Sequence, residues 1–217
     1  MARTEPVVME AGAPFRYHSS GPPPSEPYVT PAVMELLRDV MPPGARVLDA
    51  GCGNGSLARF LLAAGYDVTG VDLSPDGIAI ARATYPGSRF EVLPADEHVL
   101  DGLGCEPFDA VVSTEVIEHL FEPQQLATGA YRALRPGGRF VCSTPYNGWL
   151  KNVLLAASGS FDTHVHPLTI GGHIKFFSRG TLGELLTETG FTHIQFRGTG
   201  RLPLVWKSMV MSGDRAR

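Results

Sequence analysis

An α/β protein with a doubly wound, mostly parallel sheet is the fold class this sequence predicts, on three observations. Short apolar runs alternate with amphipathic stretches along most of the chain. The runs are continuous rather than one-sided, as in strands covered on both faces. The first of them leads directly into glycines at alternate positions, in "VLDAGCGNGSLARFL" from Val47. Strand, glycine turn and helix in that order belong at the carboxyl edge of a parallel sheet. Parallel strands need crossover helices, and the alternation supplies them.

Taken in order, residues 1–27 read as an arm, because "SSGPPPSEP" is broken by Pro and Gly. "TPAVMELLRDVM" predicts a helix with Thr30 as N-cap and Pro31 at its first position. Val33, Leu36, Leu37 and Val40 fall at helical spacing, and "PPG" then ends the helix. "RVLDA" is the first strand, "GSLARFLLAAG" a helix ending at Gly65, and "YDVTGVDLS" the second strand. "SPDGIAIARATYP" is a helix capped by Ser74 with Pro75 in its first turn. "RFEVLPAD" and "FDAVVSTE" are the third and fourth strands, "PQQLATGAYRALRPGG" holds a helix, and "RFVCSTP" is the fifth strand.

Residues 146–177 break this rhythm and form a small lid insertion in a domain spanning 28–217. "NGWLKNVLLAAS" reads as a short apolar helix, and "GSFDTHVHPLTIGGHIKFF" is rich in Gly and His without a period. Long irregular stretches in compact folds are usually functional or mobile. Trp149, Leu150, Val153, Leu154, Phe161, Phe176 and Phe177 are candidates for an apolar pocket wall or for plain core. "SRGTLGELLTETG" is then a helix capped by Ser178, and "FTHIQFRG" and "PLVWKSMVM" are closing strands.

Composition excludes several classes. The chain has 217 residues, 43% hydrophobic and 18% charged, an ordinary globular balance that suits one domain. The formal net charge is -4 with no Lys/Arg cluster, so no dedicated nucleic-acid surface is expected. Cys52, Cys105 and Cys142 form no C-x-x-C pair, which argues against a zinc ribbon or disulfide framework. No secretory h-region and no spanning apolar run is visible. The expectation is a cytoplasmic protein in a reducing compartment, monomer or homodimer.

The glycine turn carries the chemistry. Gly51, Gly53 and Gly55 permit torsions and close approach that a Cβ forbids. A dinucleotide fingerprint needs G-x-G-x-x-G, but position 56 is Ser and the third glycine comes one residue early. Asp49, two residues before the first glycine, would repel a pyrophosphate and attract a cationic amine. Asp72 ends the second strand, where a carboxylate can accept both hydroxyls of a ribose.

"VLDAGCGNG" followed by "VTGVDLS" resembles the class I S-adenosylmethionine-dependent methyltransferases, from about Gly44 onward. That resemblance implies a Rossmann-like, seven-stranded sheet whose last strand is antiparallel, supplied by "PLVWKSMVM". It implies that Asp49, Gly51, Cys52 and Gly53 surround the methionine part of the cofactor and that Asp72 holds the ribose. It further implies that Leu73 flanks the adenine, Asp96 contacts the adenine amine, Tyr28 lies near the methyl donor and Thr114 is among the cofactor-binding residues. Tyr17 and Tyr28 are candidates to close over the cofactor.

On the acceptor side, "TEVIEH" is similar to the loop of the ubiquinone-pathway O-methyltransferases. There the matching side chains, Glu115, Glu118 and His119, are associated with a divalent metal such as magnesium. If a helix begins here, the three share one face at i, i+3 and i+4. Cofactor packing without a metal is the plainer reading of the same loop. His173 precedes an aromatic turn, "IKFF", as in the acceptor-side lid of those enzymes, and His119 and His173 are the candidate catalytic bases. His164 and His166 read as solvated loop residues. The expected activity is methyl transfer to a small-molecule acceptor, on an aromatic or natural-product-like hydroxyl. Carbon or nitrogen methylation, a non-catalytic cofactor-binding module and a nicotinamide oxidoreductase are the competing readings.

Overall fold

The computed structural model describes residues 17, 19, 21–165 and 171–217. Seven strands form one sheet in the order β3-β2-β1-β4-β5-β7-β6. The strands are β1 (Arg46–Ala50), β2 (Asp67–Asp72), β3 (Arg89–Val92), β4 (Phe108–Thr114), β5 (Leu134–Pro145), β6 (Phe191–Thr199) and β7 (Ser208–Arg215). β3, β2, β1, β4 and β5 are joined in parallel, and β7 runs antiparallel to both β5 and β6. The expected doubly wound sheet with an antiparallel last strand is therefore present. That strand begins only at Ser208, because "RLPLVW" turns before it and Leu204 takes a positive φ of 69°.

Eight helices accompany the sheet among the described residues: α1 (Glu26–Arg38), α2 (Ala58–Ala63), α3 (Pro75–Thr84), α4 (Val99–Leu103), α5 (Pro123–Ala133), α6 (Trp149–Ala157), α7 (Phe161–Val165) and α8 (Arg179–Thr189). Strand alternation sends neighbours to opposite layers. Val47 joins Val33, Leu37, Leu61, Ile78 and Phe90 beneath α1, α2 and α3. Leu48 joins Val111, Leu126, Ala130, Leu182 and Leu186 beneath α4, α5 and α8. Both faces of the strands are thus dry, which is why the sequence shows runs rather than alternation. No helix of the described residues is long and apolar enough to cross a membrane.

One helix boundary differs from the sequence expectation. α1 starts at Glu26, so Thr30 is a buried interior residue and Pro31 lies inside the helix. The Glu26–Pro27 pair already supplies a helix start, and Glu26 is buried in an ion pair with Arg59 that ties α1 to α2. Tyr28 consequently lies in the first turn of α1, which takes in the last two residues of the expected arm. Ser74 does cap α3 as expected, accepting a hydrogen bond from Gly77 N at 3.2 Å. Ser178 caps α8 in a reciprocal box with Thr181.

Candidate active site

The carboxyl ends of β1 and β2 shape the cofactor half. After β1 the chain turns through Gly51, Gly53 and Gly55, all at positive φ. A Cβ on Gly51 would overlap Val116, so glycine is needed for space as well as torsion. Gly51 N and Cys52 N donate to Val71 O at 2.8 and 2.9 Å, which clamps the turn onto β2. Gly53 N donates to Asp72 Oδ2 at 2.9 Å, and Ser74 N donates to Asp72 Oδ1 at 2.7 Å. One carboxylate thereby fixes the turn and the start of α3 together. Burial raises its pKa, and these backbone donors oppose the rise.

Asp49 is different. It is 1% exposed, and neither carboxyl oxygen has a hydrogen-bond partner among the described residues. Burial, with Asp72 adding to it, pushes its pKa up to about 7. A buried polar atom without a partner is costly and marks a place for a ligand group. A cationic amine satisfies it; a pyrophosphate does not. Cys52 contributes through its backbone, since its thiol packs against the place a Cβ on Gly70 would occupy. Leu73 is 54% exposed beside this turn, free to cover a flat ring. Asp96 follows β3 and accepts from His98 N at 2.9 Å. Its backbone is pressed so closely by α5 that a Cβ on Gly129 would overlap the Asp96 carbonyl. Sequence reading did not single out Gly129; a glycine inside a helical run was the available signal.

The acceptor half lies beyond the end of β4. Thr114 is its last residue and pairs in register with Ser143 of β5. Glu115 then takes a positive φ of 54°, and its N donates to both Ser143 O and Ser143 Oγ at 3.1 Å. This reversal prevents the helix that would have aligned Glu115, Glu118 and His119. Only a single 3-10 turn forms, at Ile117–His119. Glu115 Oε1 accepts from Ser143 Oγ at 2.9 Å and Oε2 from Ser208 Oγ at 3.2 Å. Its carboxylate is therefore spent inside a β4–β5–β7 network and is not grouped with Glu118 and His119.

His173 takes its place in the group. Glu118 O accepts hydrogen bonds from Ile174 N at 2.9 Å and Lys175 N at 3.0 Å, which brings the irregular segment before α8 onto the turn. His119 Nδ1 lies 3.3 Å from Gly172 O. The two imidazoles meet edge to face with centroids 5.0 Å apart. Each Nε2 lies 4.0 Å from Glu118 Oε1. One donor atom from each of Glu118, His119 and His173 lies within 4.8 Å of the others. Glu118 is 1% exposed, and neither oxygen makes a hydrogen bond of ordinary geometry among the described residues. Thr144 brings its hydroxyl near and favours the charged form, but burial and then Glu115 outweigh it and raise the Glu118 carboxyl. The His173 imidazole is held below its usual value by burial first, then by His119, His164 and Lys151. His164 is exposed on α7, and His166 lies outside the described residues.

Three further residues were not legible as site residues. Lys151 of α6 is buried and donates from Nζ to Tyr146 O at 2.7 Å, anchoring the lid helix on the sheet edge. Ser143 and Ser208 orient Glu115, and only the strand register reveals that they face it. Tyr28 sits beside them, with Lys207 Nζ 5.1 Å from its ring centre and its hydroxyl raised by burial and then by Glu115. It therefore lies against the Glu115–Ser208 network. Of the apolar residues in 146–177 singled out from the sequence, Phe177 alone joins the core. Trp149, Val153, Leu154, Phe161 and Phe176 are exposed, and only Phe177 is buried.

A sheet of this order with a glycine turn at its switch point, between an orphan carboxylate and a carboxylate that holds the turn, is the arrangement of a nucleotide-type cofactor site. A family model described as a methyltransferase domain matches residues 26–195. The chain belongs to the class I S-adenosylmethionine-dependent methyltransferases, and it is an enzyme of that class. Among its relatives, the ubiquinone biosynthesis O-methyltransferase of Cereibacter sphaeroides (strain ATCC 17025 / ATH 2.4.3) is 32% identical, over 86% of this chain and 78% of that protein. The enzyme of the same name from Roseobacter denitrificans is 34% identical, over 86% and 77%. The magnesium protoporphyrin IX methyltransferase of Synechocystis PCC 6803, solved with bound S-adenosylhomocysteine, superposes with a TM-score of 0.66 at 22% identity, covering 86% of this chain and 82% of that one. This last likeness concerns the fold.

Proposed function

We propose that this enzyme methylates a hydroxyl of an aromatic small molecule. The observation that carries the reading is the Glu118–His119–His173 group, two imidazoles and a buried carboxyl within 4.8 Å of one another beyond the carboxyl end of β4. The relatives named as O-methyltransferases support the same chemistry. Bound S-adenosylmethionine supplies an electrophilic methyl group on a sulfonium that departs as a neutral thioether. Asp49 takes its amine, Asp72 its ribose hydroxyls, and Asp96 and Leu73 its adenine. A phenol has an ordinary pKa of ~10 and is a weak nucleophile until its proton is drawn away. His173, held neutral at pH 7 by its lowered pKa, is the base that accepts this proton. Glu118 and His119 flank the proton it receives. Positioning the acceptor oxygen in line contributes on the order of 7–11 kcal/mol.

A second reading gives the group to a divalent ion. The partnerless Glu118 carboxyl and two imidazoles are a fitting donor set, and an ion there favours the phenolate form. One carboxylate with two imidazoles suits zinc, iron or nickel better than magnesium, which prefers oxygen ligands. Glu115, expected among the ligands from the sequence, is engaged by Ser143 and Ser208 instead.

The test is transfer of labelled methyl to catechols, quinols and simple phenols, with and without chelator. Oxygen-linked label in both conditions, and a His173→Ala loss of about 100-fold in kcat, is the outcome expected of base catalysis. Loss of transfer on chelation favours the ion. Label on carbon or nitrogen, or none on any phenol, overturns the proposal.

A further inference from the structure

Three cations gather where α6 meets the loop between β6 and β7. Lys151 is buried, and its Nζ donates to Tyr146 O at 2.7 Å and to Lys207 O at 3.4 Å. Two of its three N–H groups are thus spent on uncharged carbonyls. Lys207 is exposed and sets its Nζ 5.1 Å from the centre of the Tyr28 ring. Arg201, also exposed, is close enough to act on both Lys151 and the Tyr28 hydroxyl. The loop is folded to bring them together. Gly200 turns at a positive φ of 84°, and a Cβ there would stand 2.9 Å from Lys207 Cβ and 3.0 Å from the Tyr28 ring. Lys207 N donates to Thr199 O at 2.9 Å and closes the loop. Among the described residues none of the three cations belongs to an ion pair. The carboxylate that acts on Lys151 and Tyr28 is Glu115, whose oxygens already accept from Ser143 and Ser208. Burial raises the Glu115 carboxyl and weakens even this counter-charge. Burial and then Arg201 lower the Lys151 ammonium to about 8, so it is still charged at pH 7.

We propose that Arg201 and Lys207, backed by the buried Lys151, form a subsite for a carboxylate on the acceptor, which makes the substrate a phenol with an acidic side group. The inference rests on the proposed methylation of an aromatic hydroxyl and narrows its acceptor. Like charges held together without a partner repel one another, and an anion removes that repulsion. A patch of one sign also draws in a ligand of the other, in a chain whose net charge is otherwise -4. The Arg201 guanidinium offers a planar fork that matches a carboxylate, and Lys207 adds a point charge from the Tyr28 side. Lys151 also acts on His173, so the cations border the Glu118–His119–His173 group. An acceptor held by its carboxylate at this loop would present the rest of its ring to that group. The three cations determine specificity in this arrangement and take no proton from the acceptor.

Two probes test the subsite: a catechol with an acetate side chain and its uncharged acetamide counterpart, whose methylene keeps the ring hydroxyls alike. Each is titrated calorimetrically into the full chain saturated with S-adenosylhomocysteine, where no methyl can move and binding is read alone. The acetate is expected to bind about tenfold more tightly than the acetamide. In the double variant Arg201→Gln with Lys207→Met the two affinities should come within about twofold of each other. Both side chains are exposed, so folding should survive the change. Equal affinities in the wild type, no binding of the acetate, or a preference that persists in the double variant overturns the proposal. So does a loss of S-adenosylhomocysteine affinity in the double variant with the acetate preference intact, which would give the cations to the cofactor's own carboxylate. Labelled methyl transfer to the same pair separates this inference from the reading it rests on. Transfer to both at equal kcat/KM removes the subsite and leaves hydroxyl methylation standing. Preferential binding of the acetate without transfer to either probe removes hydroxyl methylation and leaves the subsite.

Discussion

The cofactor half and the acceptor half stand side by side on one sheet edge and are built in opposite ways. In the first, Asp49, the glycines and Asp72 come from a single strand–turn–helix–strand segment, and backbone hydrogen bonds fix nearly every part of it. In the second, the working group joins Glu118 and His119 to His173 through the lid, while Glu115 is held by Ser143 and Ser208 from other strands. The first half is a preformed cradle with one vacancy for a charge, at Asp49. The second is an open rim with exposed aromatic residues beside it. The difference teaches that a site can be set by local backbone in one half and by contacts between distant segments in the other.

The largest expected effect comes from removing the shared anchor of the cradle. Asp72→Ala deletes the acceptor for Gly53 N and Ser74 N together with the carboxylate proposed to hold the ribose. Affinity for S-adenosylhomocysteine should fall on the order of 100-fold, since hydrogen bonds to a charged group contribute about 1.5–3 kcal/mol each. Calorimetric titration measures it. Binding within twofold of wild type would show that the two halves do not divide the work as described.

This division also explains what could be read in advance. The gathering of Asp49, Gly51, Gly53 and Asp72 at one turn was legible because each follows from residues within one short segment, where spacing and torsion decide the geometry. The sheet was legible because its strands are buried on both faces. The helix expected at Glu115 was not formed, because a left-handed residue paired to Ser143 reverses the chain there, and that pairing is set by strand register. His173 reached the group through hydrogen bonds from Ile174 and Lys175 to Glu118 O, a contact between distant segments. Pro31 misplaced the start of α1 because Thr-Pro and Glu-Pro are both valid helix openings, and only the buried Glu26–Arg59 pair selects the earlier one.

The next effect is one of pH and belongs to the vacancy at Asp49. Its pKa lies at about 7 in the empty fold, above the ordinary 3.8. Between about pH 4 and 7 the folded empty protein keeps a proton that the unfolded chain has lost, so its stability falls as pH rises through that window. Ligand affinity moves the other way. A cationic amine needs the carboxylate, so affinity should rise about tenfold per pH unit up to about 7 and then level off. Asp49→Asn should bind more weakly with no such rise. A wild-type affinity that is flat from pH 5 to 8 would mean that the amine is met elsewhere, and the cradle would lose its one open position.

The smallest expected effect lies on the rim and separates the halves most cleanly. Trp149 is 70% exposed at the start of α6, while Lys151 two residues on anchors that helix through Tyr146 O. Replacing an exposed side chain away from caps and buried networks changes stability by at most about 0.5 kcal/mol. Trp149→Ser should therefore leave the melting temperature and S-adenosylhomocysteine affinity unchanged. If the exposed apolar residues of the lid receive the acceptor, KM for an apolar phenol should rise a few-fold with kcat unaltered, the signature of lost uniform binding. An increase confined to apolar acceptors, and absent for a small polar catechol, would assign the rim to recognition of the part of the acceptor that does not react. An equal KM for both would leave Trp149 outside the acceptor path, and the acceptor half would then shrink to the group around Glu118, with Lys151 as the structural tie that keeps the lid beside it.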